Sequence, residues 1–212
     1  QTGTLIGTET KLSTVVTSTG VTLITDLELM SDGHVLGFGH KGKSIATQVF
    51  DFGDERLVGT GAADTLYGKH GVDDVILGAG GHDKVFGLSG NDSLAGGTGN
   101  DILTGGSGQD RFVFDAAFSS TNVDTITDFS VVDDTIVIDD VVFTAIGQAP
   151  GVLSASSFYA GTAAHDADDR IIYDQVSGAL YYDADGDGAA VAVRFATLTT
   201  KPALTEADFL VV

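Results

Sequence analysis

The chain has no cysteine, no tryptophan, one methionine and only two prolines among its 212 residues. Without cysteine, disulfide bonds and thiolate metal sites are excluded. There is no run of about 18 apolar residues, so a transmembrane helix is not expected. Basic residues are few, with 10 Lys and Arg against 30 Asp and Glu and a formal net charge of −20. This charge argues against nucleic acid as a partner and against membrane insertion or binding to anionic membranes.

Glycine and aspartate are abundant instead. The chain contains 29 glycines, about twice the usual share. Only four of its acidic residues are glutamate, so nearly all of the negative charge comes from aspartate. Aspartate is the short carboxylate of turns and of hard-cation sites, and bound cations would relieve the self-repulsion of so acidic a chain. The composition therefore points to a repeat built from glycine turns and to a divalent metal.

A nine-residue repeat runs from residue 59 to residue 113. Its units begin at Gly59, Gly68, Gly78, Gly87, Gly96 and Gly105. Aspartates recur nine residues apart at Asp83, Asp92, Asp101 and Asp110, and again at Asp64 and Asp73. One extra residue, near Leu77, interrupts the register, so either Asp73 or Asp74 could hold the sixth position of the second unit. Glu55 and Leu57 indicate a degenerate earlier unit.

Each unit contains the elements of a short turn and a short strand. Glycine at the first and fourth positions allows a tight turn with inward carbonyls. The aspartate at position six sends a carboxylate into the same turn. Position eight is apolar and should be the single core residue of a very short strand. These position-eight residues are Leu66, Val75, Val85, Leu94, Leu103 and Phe112.

Two units would complete one coil of an all-β parallel β-roll, a β-helix solenoid with two parallel sheets, and antiparallel β caps are expected at both of its ends. Aspartates from the same side would then stack, with Asp64, Asp83 and Asp101 on one edge and Asp73, Asp92 and Asp110 on the other. At about 5 Å and an effective dielectric near 20, each stacked pair repels by roughly 3 kcal/mol. Calcium between the turns reverses this, because it accepts six to eight hard oxygen ligands in flexible geometry. Magnesium demands a tighter octahedron, so Ca²⁺ is the expected ion.

The pattern closely resembles the RTX (repeats-in-toxin) nonapeptide G-G-x-G-x-D-x-U-x. In that family each calcium lies between units n and n+2 and takes carbonyls from positions one to four and the aspartate at position six. The resemblance implies four inter-turn sites, about four to six ions with the ends included. The implied ligands are Gly78, Ala79, Gly80, Gly81 and Asp83; Gly87, Leu88, Ser89, Gly90 and Asp92; Gly96, Gly97, Thr98, Gly99 and Asp101; and Gly105, Gly106, Ser107, Gly108 and Asp110, with Asp64 and Asp73 from the first two units. Those two units depart from the pattern, since Ala62 replaces a glycine and Lys69 occupies position two.

The segment before the repeat, residues 1–58, is expected to be a β-rich N-terminal cap. Strands are predicted at 15–16, 21–29, 35–38 and 45–50, separated by turn signals at 31–33 and 41–43. Residues 30–51 are similar to hairpins upstream of such repeats in large secreted adhesins. No N-terminal secretion signal is visible, and because the chain starts at Gln1 we expect a fragment or a processed product.

The segment after the repeat, residues 114–212, is expected to be a C-terminal β cap carrying a type I secretion signal. The stretch from Asp124 to Asp139 resembles the run that follows the last repeat in serralysin-like RTX C-termini. The resemblance implies that Asp124 closes the last calcium site, with Asp115 and Asp128 as further candidates. Residues 204–212 resemble the uncleaved export signal of type I secreted RTX proteins. The alternative is a short C-terminal helix capped by Thr205.

No catalytic centre is predicted. The five histidines are scattered, H-E-x-x-H and G-x-S-x-G are absent, and acidic pairs such as Asp139-Asp140 are explained by turns or calcium. The acidic turn at 183–188 begins like an EF-hand loop, but Arg194 stands where that loop needs glutamate. We expect it to be a β-hairpin turn, and whether it binds calcium stays open.

The sequence thus predicts an extracellular, bacterial calcium-binding module that is not an enzyme and folds on calcium binding after passage through a type I exporter. Two alternatives remain. The chain could be the adhesin or polysaccharide-binding end of a large surface protein, with a glycan or cell surface as partner. It could also be the C-terminal export tail of a secreted hydrolase.

Overall fold

The computed structural model describes residues 56–212 in full and, before them, the backbone of five strands. These five are β1 (Val15–Thr17), β2 (Gly20–Thr22), β3 (Ile24–Leu29), β4 (Val35–Lys41) and β5 (Ser44–Phe50). The predicted N-terminal strands are therefore confirmed. The turn signals at Ser31–Gly33 and at Gly42 and Lys43 lie outside the described residues, as does Glu55.

The repeat folds into strands of three to six residues. They are β6 (Arg56–Val58), β7 (Thr65–Tyr67), β8 (Val75–Leu77), β9 (Lys84–Ser89), β10 (Ser93–Ala95), β11 (Ile102–Ser107) and β12 (Arg111–Phe114). Beyond the repeat come β13 (Asp124–Ile126), β14 (Thr135–Ile138), β15 (Gly151–Val152), β16 (Phe158–Ala160), β17 (Ile171–Asp174), β18 (Ala179–Tyr182), β19 (Val193–Leu198) and β20 (Phe209–Val211). Two one-turn 3-10 helices, Ala155–Ser157 and Glu206–Asp208, complete the described elements.

Successive strands of the repeat alternate between two parallel sheets. One sheet has the order β15-β20-β14-β12-β10-β8-β6, and the other β16-β17-β18-β19-β13-β11-β9-β7-β5-β4-β3. Each strand pairs in parallel with the strand two units further on, so two units make one coil. At the ends, β3-β4-β5 and β17-β18-β19 are antiparallel. The predicted all-β roll with antiparallel caps is confirmed.

Position eight of every unit fills the space between the sheets. Its residues form two stacked columns that continue past the repeat: Leu57, Ile76, Leu94, Phe112, Ile136 and Phe209 in one sheet and Leu66, Val85, Leu103, Ile126 and Leu198 in the other. All of these side chains are at most 2% exposed. Leu57 stands in the register of a repeat unit, as the degenerate earlier unit predicted.

The register of the second unit corrects the sequence prediction. Ile76 is fully buried, whereas Val75, assigned to position eight from the sequence, is 37% exposed. The extra residue therefore lies before Asp74 and not near Leu77. Asp74 is buried and holds the sixth position, and Asp73 is exposed. The physical reason is that successive side chains of a strand point to opposite faces. A shift of one residue therefore turns Ile76 into the core and Val75 outward.

The C-terminal segment continues both sheets instead of standing apart from them. Strands β13 and β19 extend one sheet in parallel, and β14 and β20 extend the other. A cluster of aromatic side chains, including Phe114, Phe118, Phe143 and Phe195, packs where the coil meets the cap. The turn at 183–188 connects β18 to β19, so the predicted hairpin is confirmed. Among the described residues, no helix has the length and apolar character needed to cross a membrane.

Candidate metal centre

Two ladders of buried aspartates run along the two edges of the roll. In the first, the backbone N–H of each aspartate donates to the Oδ1 atom of the aspartate in the next coil: Asp64 to Asp83 at 2.7 Å, Asp83 to Asp101 at 2.7 Å and Asp101 to Asp124 at 3.1 Å. The second joins Asp74 to Asp92 at 2.8 Å, Asp92 to Asp110 at 2.9 Å and Asp110 to Asp134 at 3.0 Å. Each carboxylate after the first of its ladder thus uses one oxygen to hold the preceding coil.

The other oxygen of the central aspartates has no hydrogen-bond partner. This holds for the buried Oδ2 atoms of Asp83, Asp92, Asp101 and Asp110. Each of these residues is only 1% exposed. A buried carboxylate oxygen without a partner is strongly unfavourable, because burial removes its hydration and gives nothing in return. Four such atoms at equivalent positions indicate a ligand that the chain is built to bind.

The first-position glycines border the space that these oxygens face. An ideal Cβ on Gly78 would lie 2.5 Å from Asp83 Oδ2 and 2.4 Å from the carbonyl oxygen of Gly96 in the next coil. For Gly87 the corresponding distances are 2.4 Å to Asp92 Oδ2 and 2.5 Å to the Gly105 carbonyl oxygen. A carboxylate and a backbone carbonyl from successive coils therefore converge on one small volume. Hard oxygen donors of this kind fit Ca²⁺.

Burial makes these carboxylates poor anions in the absence of a cation. Desolvation raises the pKa of Asp83, Asp92 and Asp110 to about 6, against partial compensation by the ladder hydrogen bonds. Neighbouring carboxylates of the same ladder raise the pKa further through Coulomb repulsion. The pKa of Asp124 rises to about 8, again mainly through burial. A divalent cation between the coils would remove both penalties.

The first two units are built differently. Asp64 Oδ2 accepts hydrogen bonds from the backbone N–H and the hydroxyl of Thr60, at 2.6 and 2.8 Å. Asp74 Oδ2 accepts the backbone N–H of Lys69 at 2.5 Å. These oxygens already have partners inside the protein, although Asp64 Oδ1 is buried without one. These are the two units in which the sequence departs from the repeat pattern at positions two and four. In both of them the turn itself already donates hydrogen bonds to the carboxylate.

The last coil is closed by three aspartates from beyond the repeat. Asp124, which the family resemblance implies closes the last calcium site, is buried and ends the first ladder. Asp134, which the sequence analysis did not assign, ends the second. Asp128 accepts the backbone N–H groups of Gly105 and Gly106 at 3.0 and 2.8 Å. Asp115 is exposed and belongs to neither ladder.

The remaining predicted ligand residues precede the ladder aspartates in each unit, in turns or at the ends of β9 and β11. Two of them, Ala79 and Leu88, occupy position two with φ of +74° and +78°. The equivalent residues of the next coils are Gly97 and Gly106, also with positive φ. The turn therefore keeps its left-handed backbone even where a side chain makes this conformation unfavourable. Among the aspartates predicted as ligands within the repeat, Asp73 lies outside the ladders, since its carboxylate is exposed and accepts the N–H of Asn91.

Comparison with known families agrees with this geometry. The family model described as the RTX calcium-binding nonapeptide repeat (4 copies) matches residues 51–81 and 77–112. Residues 51–112 of the chain belong to the RTX calcium-binding repeat family. The RTX roll is thus a calcium-binding structural module.

Two solved structures are similar to this RTX chain. One is the AlgE6R3 subunit of a mannuronan C5-epimerase from Azotobacter vinelandii, with 30% identity, 76% of this chain and 85% of that chain covered, and a TM-score of 0.48. The other is the AlgE6R2 subunit of the same enzyme, with 23% identity, coverage of 73% and 91% and a TM-score of 0.46. No curated protein matches the chain.

Proposed function

We propose that this RTX chain is a calcium-triggered folding module of a secreted bacterial protein. RTX repeats are typical of secreted bacterial proteins. The observation that supports the proposal is the set of buried, partnerless Oδ2 atoms of Asp83, Asp92, Asp101 and Asp110. With calcium these atoms gain ligand bonds, and without it their burial opposes folding, so binding and folding are coupled. Affinity should lie near that of extracellular modules, roughly 10⁻⁴–10⁻³ M or somewhat tighter.

The proposed calcium ligands are distributed over the successive coils of the roll. The carboxylates of the four central units and Asp124, with the turn carbonyls, bind calcium, for a total of about four to six ions. Asp64 contributes less because Thr60 already satisfies one of its oxygens. In the second unit the ladder aspartate is Asp74, and we assign Asp73 no ligand role because it is exposed. The units 1–58, 59–113 and 114–212 remain our proposed division of the chain into N-terminal cap, RTX roll and C-terminal cap.

Export through a type I secretion system is supported by the position of the C-terminal residues inside the last coil. Phe209 and Val211 are fully buried as part of the last coil. An exporter could read this segment only before the protein folds. A chain that stays unfolded at low cytosolic calcium and folds outside satisfies that requirement.

The direct test is a CaCl₂ titration of EDTA-stripped protein followed by far-UV circular dichroism, with MgCl₂ as the control. We expect a cooperative transition from coil to β structure with calcium and none with magnesium at the same concentration. Asp92→Asn should shift the calcium midpoint upward about tenfold or more, since affinity follows ligand charge. Asp73→Asn is the matched control and should leave it unchanged. A chain that is fully folded in EDTA would refute calcium-triggered folding.

A further inference from the structure

A second cluster of metal-ligating side chains lies in the C-terminal cap, in the loop between β16 and β17. It consists of His165, Asp166 and Asp169, whose ligand atoms all lie within 4.8 Å of one another. The imidazole ring stacks on Tyr159 with centroids 4.5 Å apart and planes inclined by 17°. This cluster contains a nitrogen ligand, unlike the aspartate ladders of the roll.

Asp169 fixes the orientation of the imidazole. Its side chain is 3% exposed, and its Oδ2 atom accepts the backbone N–H groups of His165 and Asp166 at 2.7 and 3.1 Å. The same oxygen lies 2.9 Å from His165 Nδ1. Because a carboxylate only accepts hydrogen bonds, Nδ1 must carry the proton, which leaves Nε2 with a free lone pair in the neutral ring. Carboxylate–histidine pairs of this kind orient metal ligands in proteins.

The free nitrogen faces a second carboxylate. His165 Nε2 lies 3.4 Å from Asp166 Oδ2, and both side chains are about half exposed. In the neutral ring these two atoms are both hydrogen-bond acceptors, so they attract each other only through a cation or an added proton between them. Two ligands about 2.1 Å from a tetrahedral zinc ion lie about 3.4 Å apart, which matches this separation.

The charges around the pair also favour a cation. The backbone of Asp187, in the turn between β18 and β19, donates its N–H to the carbonyl of Asp166. This brings another acidic residue close to the imidazole. The guanidinium of Arg170 is engaged by the carbonyl oxygens of Ala145, Ala167 and Asp169.

We propose that His165 Nε2 and Asp166 Oδ2 bind Zn²⁺, with water as the remaining ligands and Asp169 as the residue that positions the imidazole. Imidazole with carboxylate suits zinc, whereas the all-oxygen turns of the roll suit calcium. The two metals therefore bind at separate places. This site does not depend on calcium-triggered export, and its failure would leave that proposal untouched.

Isothermal titration of ZnCl₂ into the calcium-saturated full chain tests the site. We expect binding that weakens at least about tenfold in His165→Gln and in Asp166→Asn, while His82→Gln and Asp168→Asn leave it unchanged. Far-UV circular dichroism in calcium would establish that each variant is folded. Absence of zinc binding, or binding that persists in His165→Gln, would overturn the proposal.

NMR separates the positioning role of Asp169 from a merely structural one. In the metal-free protein above the pKa of the ring, ¹⁵N spectra of His165 should show the proton on Nδ1, and zinc should shift the Nε2 resonance. Asp169→Asn should change the tautomer ratio and weaken zinc binding about tenfold. A ring that becomes protonated near neutral pH but does not respond to zinc would identify a simple ion pair between His165 and Asp166 and contradict the site.

Discussion

The backbone N–H of Asp110 donates a 3.0 Å hydrogen bond to Oδ1 of Asp134, which lies 24 residues further along the chain. Asp134 also accepts the N–H of Ser130 through its other oxygen. It thereby occupies the place that a further repeat unit would occupy. The second ladder ends on a residue that belongs to no nonapeptide unit.

Replacing Asp134 by alanine should therefore weaken the last coil. The change leaves the buried N–H of Asp110 without an acceptor and removes a carboxylate from the end of the ladder. We expect a loss of about 2–3 kcal/mol in the free energy of unfolding in calcium, measured by urea denaturation. Asp133→Ala, at the exposed neighbouring position, should change it by no more than about 0.5 kcal/mol. Equal effects of the two variants would contradict the assignment of the ladder.

The register of the second unit can be tested with two adjacent core-strand residues. Ile76 is fully buried, so Ile76→Ala should destabilise the calcium-bound protein by about 2–5 kcal/mol through lost burial and a cavity. Val75→Ala, at a position 37% exposed, should cost less than about 1 kcal/mol. Urea denaturation in saturating calcium measures both. A larger loss of stability in Val75→Ala than in Ile76→Ala would instead support the register predicted from the sequence.

Close packing of the turns predicts that alanine substitution at two different glycines changes the calcium midpoint for folding by different amounts. Gly99 has φ of +135°, and a Cβ there would lie 1.5 Å from the carbonyl oxygen of Gly81. Gly99→Ala should therefore force successive coils apart and raise the calcium midpoint for folding at least tenfold. Gly61 has no atom within 4 Å of a Cβ, so Gly61→Ala should leave the midpoint within about twofold. The titration by circular dichroism distinguishes the two results.

Acid should partly replace calcium in stabilising the folded state. The pKa values of Asp83, Asp92 and Asp110 are raised on folding from 3.8 to about 6, so the folded chain binds more protons than the unfolded chain between these values. The stabilisation is fully present below pH 3.8 and is lost as pH rises through about 6, and for Asp124 through about 8. In EDTA, circular dichroism should show more β structure at pH 5 than at pH 7.5. Equal spectra at both pH values would argue against raised carboxyl pKa values.

How far the sequence predicts the site depends on the strictness of the repeat. Asp83, Asp92, Asp101 and Asp110 follow from glycine and aspartate spacing alone, because each unit must repeat the same turn. The second unit was ambiguous, since two adjacent aspartates both fit and only the choice of Ile76 for the core decides between them. That choice depends on packing across the whole coil, which the local pattern does not contain.

Asp134 was missed for a related reason. The connection before it differs in length from a repeat unit, so counting residues fails there. A signal was nevertheless present, because Asp134-Thr-Ile136 repeats the Asp124-Thr-Ile126 triplet, whose aspartate was assigned to the last calcium site.

The alternative prediction of a C-terminal helix capped by Thr205 was partly correct. Its N–H donates to Asp208 Oδ2 at 2.7 Å, but the helix is a single 3-10 turn that leads into β20.

Each ladder hydrogen bond joins an aspartate to the aspartate of the next coil on the same edge of the roll. This limits how such a protein can change its length. Asp83 is joined to Asp101 across 18 residues, and Asp92 to Asp110 across 18. Insertion or deletion of two whole units keeps every later strand in its own sheet and leaves Asp124 and Asp134 beside the right partners. Loss of a single unit would send the closing segment to the wrong edge. Natural lengthening or shortening of this roll should therefore proceed by whole coils, and a duplication of residues 87–104 is the smallest step that preserves its ends.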